Sequence, residues 1–258
     1  MTAASEPERT LVNTMAGPGA EPRGRPRLDP TTIRSRPKMR ATLTEDAEQV
    51  LERLVRARRR SSNLSALTYN ITISHRHRLV WFRNAKVGTR SILDYLSQHH
   101  PDGDLLVASG IPYPTAAFAD YFKFAMVRHP LDRFISAWQD KVFRVNLFRF
   151  DEPTLERMQT IENFAAWVAE KDLRARRTNR HLKLQSRMID LSHVDYLGRM
   201  ESFDDDFAAV CREVGLPVQT PERRNQSTPR GVTRENASKE LRSIVEEMYR
   251  RDYQIFGY

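Results

Sequence analysis

Along residues 70–83, NITISHRHRLVWFR, apolar and polar positions alternate and then give way to a continuous apolar run that ends at Phe82. β-Branched and aromatic residues in that order predict a strand entering a buried sheet. The next stretch, SILDYLSQHH (91–100), switches to a helical period. The same order recurs downstream. YFKFAMV (121–127) predicts a strand, RHP a turn, and LDRFISAWQDKVF a helix with Leu131, Phe134, Ile135 and Trp138 on one face. Two strand-loop-helix units imply parallel strands joined by right-handed crossovers, so the expected fold class is α/β with a central parallel sheet.

Beyond Phe150 the pattern is mainly helical. TIENFAAWVAEKDL and SFDDDFAAVCREVGLP both have the helical period, the second with an acidic first turn and a Gly-Leu-Pro stop at 215–217. PERRNQSTPRG (221–231) predicts a loop, and SKELRSIVEEMYRRDYQIFGY a terminal helix with an aromatic tail. Upstream, TLTEDAEQVLERLVRARRR from Thr42 predicts a capped amphipathic helix whose arginine run suits the negative end of its dipole. Residues 1–40, rich in Pro, Gly, Arg, Ser and Thr, hold too few large apolar residues to offset the entropy of ordering. The expected organisation is a disordered basic tail over 1–40 and one domain over 41–258.

Charge refines this picture. The net charge of +9 divides into +4 in residues 1–40 (eight Lys/Arg, four Asp/Glu) and +5 in the rest, an excess that fits an anionic small ligand as well as nucleic acid. PRGRPR in the tail is like an AT-hook core, but a single copy in such a tail reads first as a solvated segment. Cys211 is the only cysteine, which excludes an intrachain disulfide and a cysteine-rich zinc site and makes a cytoplasmic location the default. No segment approaches the roughly 20 apolar residues of a membrane helix, so no membrane partner is expected. His75 and His77 alternate on a strand and His99 and His100 end a helix, with no ligand set at zinc-like spacing, so no metal is expected.

The candidate chemistry sits where the two apolar strands stop. In WFRNAKVGTRSI (81–92), a Gly-containing turn between strand and helix aims free backbone N–H groups at whatever lies above it. Lys86 adds a point charge, Val87 and Gly88 offer closely approachable backbone, Thr89 and Ser91 add hydroxyls, and Arg90 can fork to phosphate oxygens. Arg128 stands just after the second strand, at the sheet edge where ligands bind in open α/β folds, and Ser136 follows on the next helix. Two such edges on adjacent parallel strands suit a ligand with two separate phosphates.

These segments resemble the two donor motifs of sulfotransferases that use 3′-phosphoadenosine 5′-phosphosulfate (PAPS), and in particular the carbohydrate sulfotransferase-like branch, family 2. NAKVGTRSI is similar to the 5′-phosphosulfate loop and VRHPLDRFISAW to the 3′-phosphate motif. HLKLQS resembles the branch's His-x-x-x-Gln segment, VDYLGRMESFDDDFAAVCREVGLP its Tyr-x-x-x-Gly-Arg-x-Glu stretch, and RDYQIFGY its Asp-and-aromatic terminus. Two positions depart: Ala85 stands where a proline usually precedes the loop lysine, and Arg90 where the second of two paired hydroxyls is found.

The resemblance implies a P-loop-like, three-layer α/β/α fold with a helical C-terminal half, and PAPS as donor substrate without a metal. It assigns residues 86–91 to the phosphosulfate, Lys86 to the bridging oxygen, and Arg128 and Ser136 to the 3′-phosphate. Arg133 is open between a supporting contact and a surface role. For the base, a histidine that titrates near neutrality is apt, and His181 is chosen by its place in the His-Gln segment. Asp140 and Glu201 are fallbacks, and His129 is expected to shape the phosphate turn. The acceptor is expected to be a carbohydrate or other small soluble molecule.

Two other classes remain in view. A magnesium-dependent kinase or NTPase predicts a lysine after the glycines of its loop, whereas Lys86 precedes Gly88. A DNA-binding protein using the RGRPR tail predicts binding that survives loss of Lys86, and nucleic acid is not the expected partner.

Overall fold

A computed structural model describes residues 64–100, 104–219, 221 and 231–258. The 1–40 tail with its PRGRPR segment, the domain boundary after residue 40, the helix expected from Thr42 and most of the 221–231 loop lie outside the described residues.

The apolar run at 70–83 folds as two strands rather than one, β1 (Tyr69–Ser74) and β2 (Leu79–Phe82), paired antiparallel with Ser74 opposite Leu79. The four polar residues His75–Arg78 cannot continue into a buried sheet, and the chain reverses there with Arg78 at φ 47°. A third strand, β3 (Leu105–Ile111), adds antiparallel to the far side of β1, while β4 (Phe122–Val127) lies parallel to β2. The last strand, β5 (Tyr196–Arg199), is parallel to β4, giving the order β3-β1-β2-β4-β5. The expected central parallel sheet is therefore corrected to a mixed sheet. Only β2, β4 and β5 run parallel, because the hairpin turn at 75–78 sends β1 back antiparallel and β3 pairs with β1.

The α/β class holds. Helix α1 (Thr89–Gln98) follows β2 directly, and α2 (Pro130–Trp138) follows β4 with proline at its first position, where a missing N–H costs nothing. A π-helical segment, Gln139–Arg144, prolongs α2. Then come α3 (Glu152–Met158), α4 (Ile161–Ala169), α5 (Phe203–Val214), which stops at the left-handed Gly215 as the sequence predicts, and the terminal α6 (Lys239–Phe256).

Two cores result. One joins the sheet to α1, α5 and the end of α6 through residues such as Trp81, Phe124, Ile92 and Phe207; the other joins α2, α3, α4 and α6 around Phe134, Phe164, Leu241 and Tyr249. β5 comes very close to β4 at Gly198, where an added Cβ would lie 2.5 Å from the Met126 sulfur. The ends of β2 and β4, from which α1 and α2 depart, are thus fixed from beneath by the first core and from the side by the second.

Candidate functional site

The loop after β2 turns twice through left-handed backbone, at Lys86 (φ 71°) and Gly88 (φ 69°). For Gly88 this is cheap. For Lys86 it is strained, and such residues persist only where their surroundings over-determine them. Here the surroundings do so. The Ala85 carbonyl accepts from Arg133 Nε at 3.1 Å, Thr89 Oγ1 donates to the Asn84 carbonyl at 2.5 Å, and Asn84 Nδ2 donates to the Met126 carbonyl at 3.1 Å. Gly88 also sits against α5, so that a Cβ there would meet Phe203 at 3.3 Å.

Lys86 reaches across to the π-helical segment, donating to Asp140 Oδ2 at 2.9 Å. Lys141 Nζ lies 3.0 Å from the same oxygen, and Arg144 2.9 Å from Oδ1. Burial pushes the Asp140 carboxyl up, but the hydrogen bonds from Lys86 and Lys141 outweigh it and hold the group well below the usual carboxylate range. For Lys86 burial dominates and pushes the ammonium down, opposed by Asp140 and reinforced by Lys141 and Arg128. The insertion that makes a π-helix is a known device for re-aiming side chains at functional sites, and here it sets Asp140 and Lys141 beside the loop.

Arg128 is held by its backbone. Its N–H donates to Gln185 Oε1 at 3.0 Å and its carbonyl accepts from Gln185 Nε2 at 2.8 Å. Gln185, fully buried, is itself fixed by Asp252 of α6, which accepts from the backbone N–H groups of Gln185 (2.7 Å) and Ser186 (3.0 Å) and from Ser186 Oγ (2.6 Å). The next residue, His129, donates its N–H to Glu201 at 2.8 Å, and Glu201 also accepts from the Tyr258 hydroxyl at 3.1 Å.

His181 lies at the start of the segment that Gln185 anchors. Burial first, then the charges of Lys141, Arg180, Lys86 and Arg133, push its imidazole down to about 3, so the ring is neutral at physiological pH. Its Nδ1 is buried with no hydrogen-bond partner. A neutral imidazole facing a cluster of cations can accept a proton, and an arriving anion raises its affinity for one.

The structure therefore brings Lys86, Arg128 and His181 into one electrostatic neighbourhood. Gly88 caps α1, Val87 is fully buried and offers only backbone, Ser91 and Ser136 are buried in α1 and α2, and Arg90 is exposed on α1. The Thr89 hydroxyl proton is engaged within the loop. Arg133 is no surface residue: it is 1% exposed and bridges the Ala85 and Arg180 carbonyls, tying the lysine loop to the histidine segment. Sequence reasoning missed the clamping roles of Gln185 and Asp252 and took Asp140 for a spare base. The Gln of the His-Gln segment and the Asp of the terminus were the available signals.

Among the described residues, no group of three or more His, Cys, Asp or Glu side chains is placed to hold a metal ion, and no helix is long and apolar enough to cross a membrane. A family model described as the sulfotransferase family matches residues 106–258, which spans Arg128, Ser136, His181 and the C-terminal clamp and begins after the Lys86 loop. Comparison with curated proteins and with solved structures found no match.

Proposed function

Because the chain belongs to the sulfotransferase family, type 2, we propose that it transfers the sulfuryl group of PAPS to a hydroxyl of a carbohydrate or another small acceptor. The observation that carries this reading is the convergence of Lys86 and Arg128, from the ends of the adjacent parallel strands β2 and β4, with a neutral His181 in the same field. Their parallel pairing, each strand opening a helix, fits the P-loop-like architecture expected of the family. A cytoplasmic setting fits the single buried, unpaired Cys211.

In this reading Arg128 and Ser136 hold the 3′-phosphate, and the Val87–Ser91 backbone at the α1 N-terminus faces the 5′-phosphosulfate. The acceptor oxygen attacks sulfur as the bond from sulfur to the bridging oxygen breaks. The electron pair leaves with 3′-phosphoadenosine 5′-phosphate (PAP), and the acceptor proton passes to His181. Charge grows on the bridging oxygen, so a cation there stabilises the transition state more than the ground state, which is the part given to Lys86. To reach that oxygen Lys86 exchanges Asp140 for the donor. Residues 173–189 carry six Lys/Arg and no Asp/Glu, so an acceptor with its own negative charge is drawn to the same edge.

Calorimetry tests the donor site. PAP is expected to bind without metal, to need its 3′-phosphate, and to weaken in both Lys86→Ala and Arg128→Ala. A preference for ATP with magnesium would overturn the reading in favour of a kinase.

A further inference from the structure

A cavity of about 50 Å³ opens between the chain's entry at Leu64–Leu67, the 186–193 loop and Arg251 of α6. One water needs about 10–15 Å³ on such a measure, so the space exceeds a single solvent molecule and accommodates a tetrahedral oxyanion. Its polar lining includes Arg187, Arg251 and His193, together with Asp190 and the hydroxyl residues Ser65, Ser186 and Ser192. Among the described residues, neither guanidinium makes a hydrogen bond or an ion pair, and Arg251 Nε is buried without any partner. Burial, then the neighbouring charge of Arg187, pushes the Arg251 guanidinium down, opposed by the carboxylate of Asp252.

Asp190, the carboxylate beside them, is already engaged. It accepts from the Tyr113 hydroxyl at 2.8 Å and from Ser192 Oγ at 2.6 Å and N at 3.3 Å, and it faces His193 Nδ1 at 2.7 Å. The His193 side chain is 8% exposed, and with Nδ1 turned to Asp190 and to Ser192 Oγ (2.9 Å) its Nε2 is left buried with no partner. Two like charges and an orphaned ring nitrogen around one void are costly unless something completes them.

We propose that this cavity is a second anion site, distinct from the donor site, that holds inorganic phosphate between Arg187, Arg251 and His193. The guanidinium groups supply donors to the phosphate oxygens. In the proposed complex His193 Nδ1–H donates to Asp190 and Nε2 accepts from the P–OH that phosphate keeps at neutral pH. Sulfate has no such proton. None of the three residues belongs to the donor site, although the 185–186 backbone clamped by Asp252 runs between the two.

Phosphate is titrated calorimetrically into the full chain saturated with PAP, with sulfate as the parallel arm. One phosphate is expected per chain, with sulfate weaker, and binding at least tenfold weaker in Arg187→Gln and in Arg251→Gln but partly kept in Arg251→Lys. Thermal melts check that each variant folds, and Arg187, on the cavity rim, provides the second route should Arg251→Gln fail to. Absence of phosphate binding in the wild type, or equal affinity in both glutamine variants, overturns the site; equal binding of sulfate overturns the role of His193. Should PAP not bind, the titration without it still reads the cavity, so failure of the donor reading is seen separately.

Discussion

At the end of β2, a strained lysine points at a carboxylate that it shares with Lys141 and Arg144, and every one of those contacts is made by a long side chain. At the end of β4, Arg128 is gripped by its peptide groups, through a buried glutamine that is in turn fixed by a buried aspartate. One end is a set of exchangeable charges; the other is a chain of backbone hydrogen bonds in the core. The difference suits the two tasks proposed for these ends: a 3′-phosphate, which takes no part in bond making, would be best met by a fixed cradle, whereas a cation that follows the bridging oxygen would have to change partners during turnover.

Disabling the exchangeable end while leaving the fixed one intact should have the largest effect. Lys86→Met is expected to lower kcat by roughly 10²- to 10³-fold with PAP affinity reduced far less, as for loss of one preorganised donor to developing charge. His181→Ala is expected to cost about 10²- to 10⁴-fold in kcat. A sulfuryl-transfer assay at saturating donor decides both, and a purely KM effect for either residue would return it to binding. Next in size is Gln185→Ala, which takes from the half-buried Arg128 N–H and carbonyl the side chain they bond, a loss of about 0.5–1.5 kcal/mol per hydrogen bond. PAP affinity should fall about tenfold while kcat at saturation stays near wild type. An unchanged Kd would show that the clamp does not position the cradle.

Much of this was legible in the sequence, and the parts that were not share a cause. β4, α1, α2, α5 and the Gly215 stop each announce themselves within a dozen residues, and Lys86, Arg128 and His181 fall where a strand end or a motif puts them. The hairpin at 75–78, the edge strand β3 and the four-residue β5 depend on pairing with distant segments, which no local period encodes. The same holds for the site's supports. Gln185 reaches Arg128 across 57 positions, and Lys86 reaches Asp140 across 54. At Thr89 a hydroxyl at a helix start reads as a ligand donor, and here it donates to the Asn84 carbonyl five residues back, a pairing the local pattern does not encode.

His181 gives a smaller, opposite test of its burial. In the folded protein its proton affinity is depressed to about 3, whereas in the unfolded chain it titrates near 6.5, so between those values protons favour unfolding. Stability should therefore decline as pH falls from about 6.5 towards 3, and His181→Gln should flatten that slope in thermal melts. An identical slope in the variant would mean that the ring protonates freely in place.

The smallest expected effect has the opposite sign and bears most directly on the exchange of partners. Asp140→Asn removes the negative charge that Lys86 must leave before it can meet the donor, and Lys86, Lys141 and Arg144 then share no carboxylate. Anion binding gains from this: PAP should bind a few-fold more tightly, with a steeper salt dependence, because an internal competitor is gone and three cations lie within a Debye length of the ligand. Turnover should not gain, since tighter PAP is released more slowly, so kcat falls while the KM for donor falls with it. If Asp140 were instead a strut for the strained Lys86 turn, its amide variant would bind PAP more weakly and melt several degrees lower. Calorimetry and a melt on one protein separate the two, and only the first pattern leaves Lys86 as a charge on loan between the resident carboxylate of Asp140 and an incoming phosphosulfate.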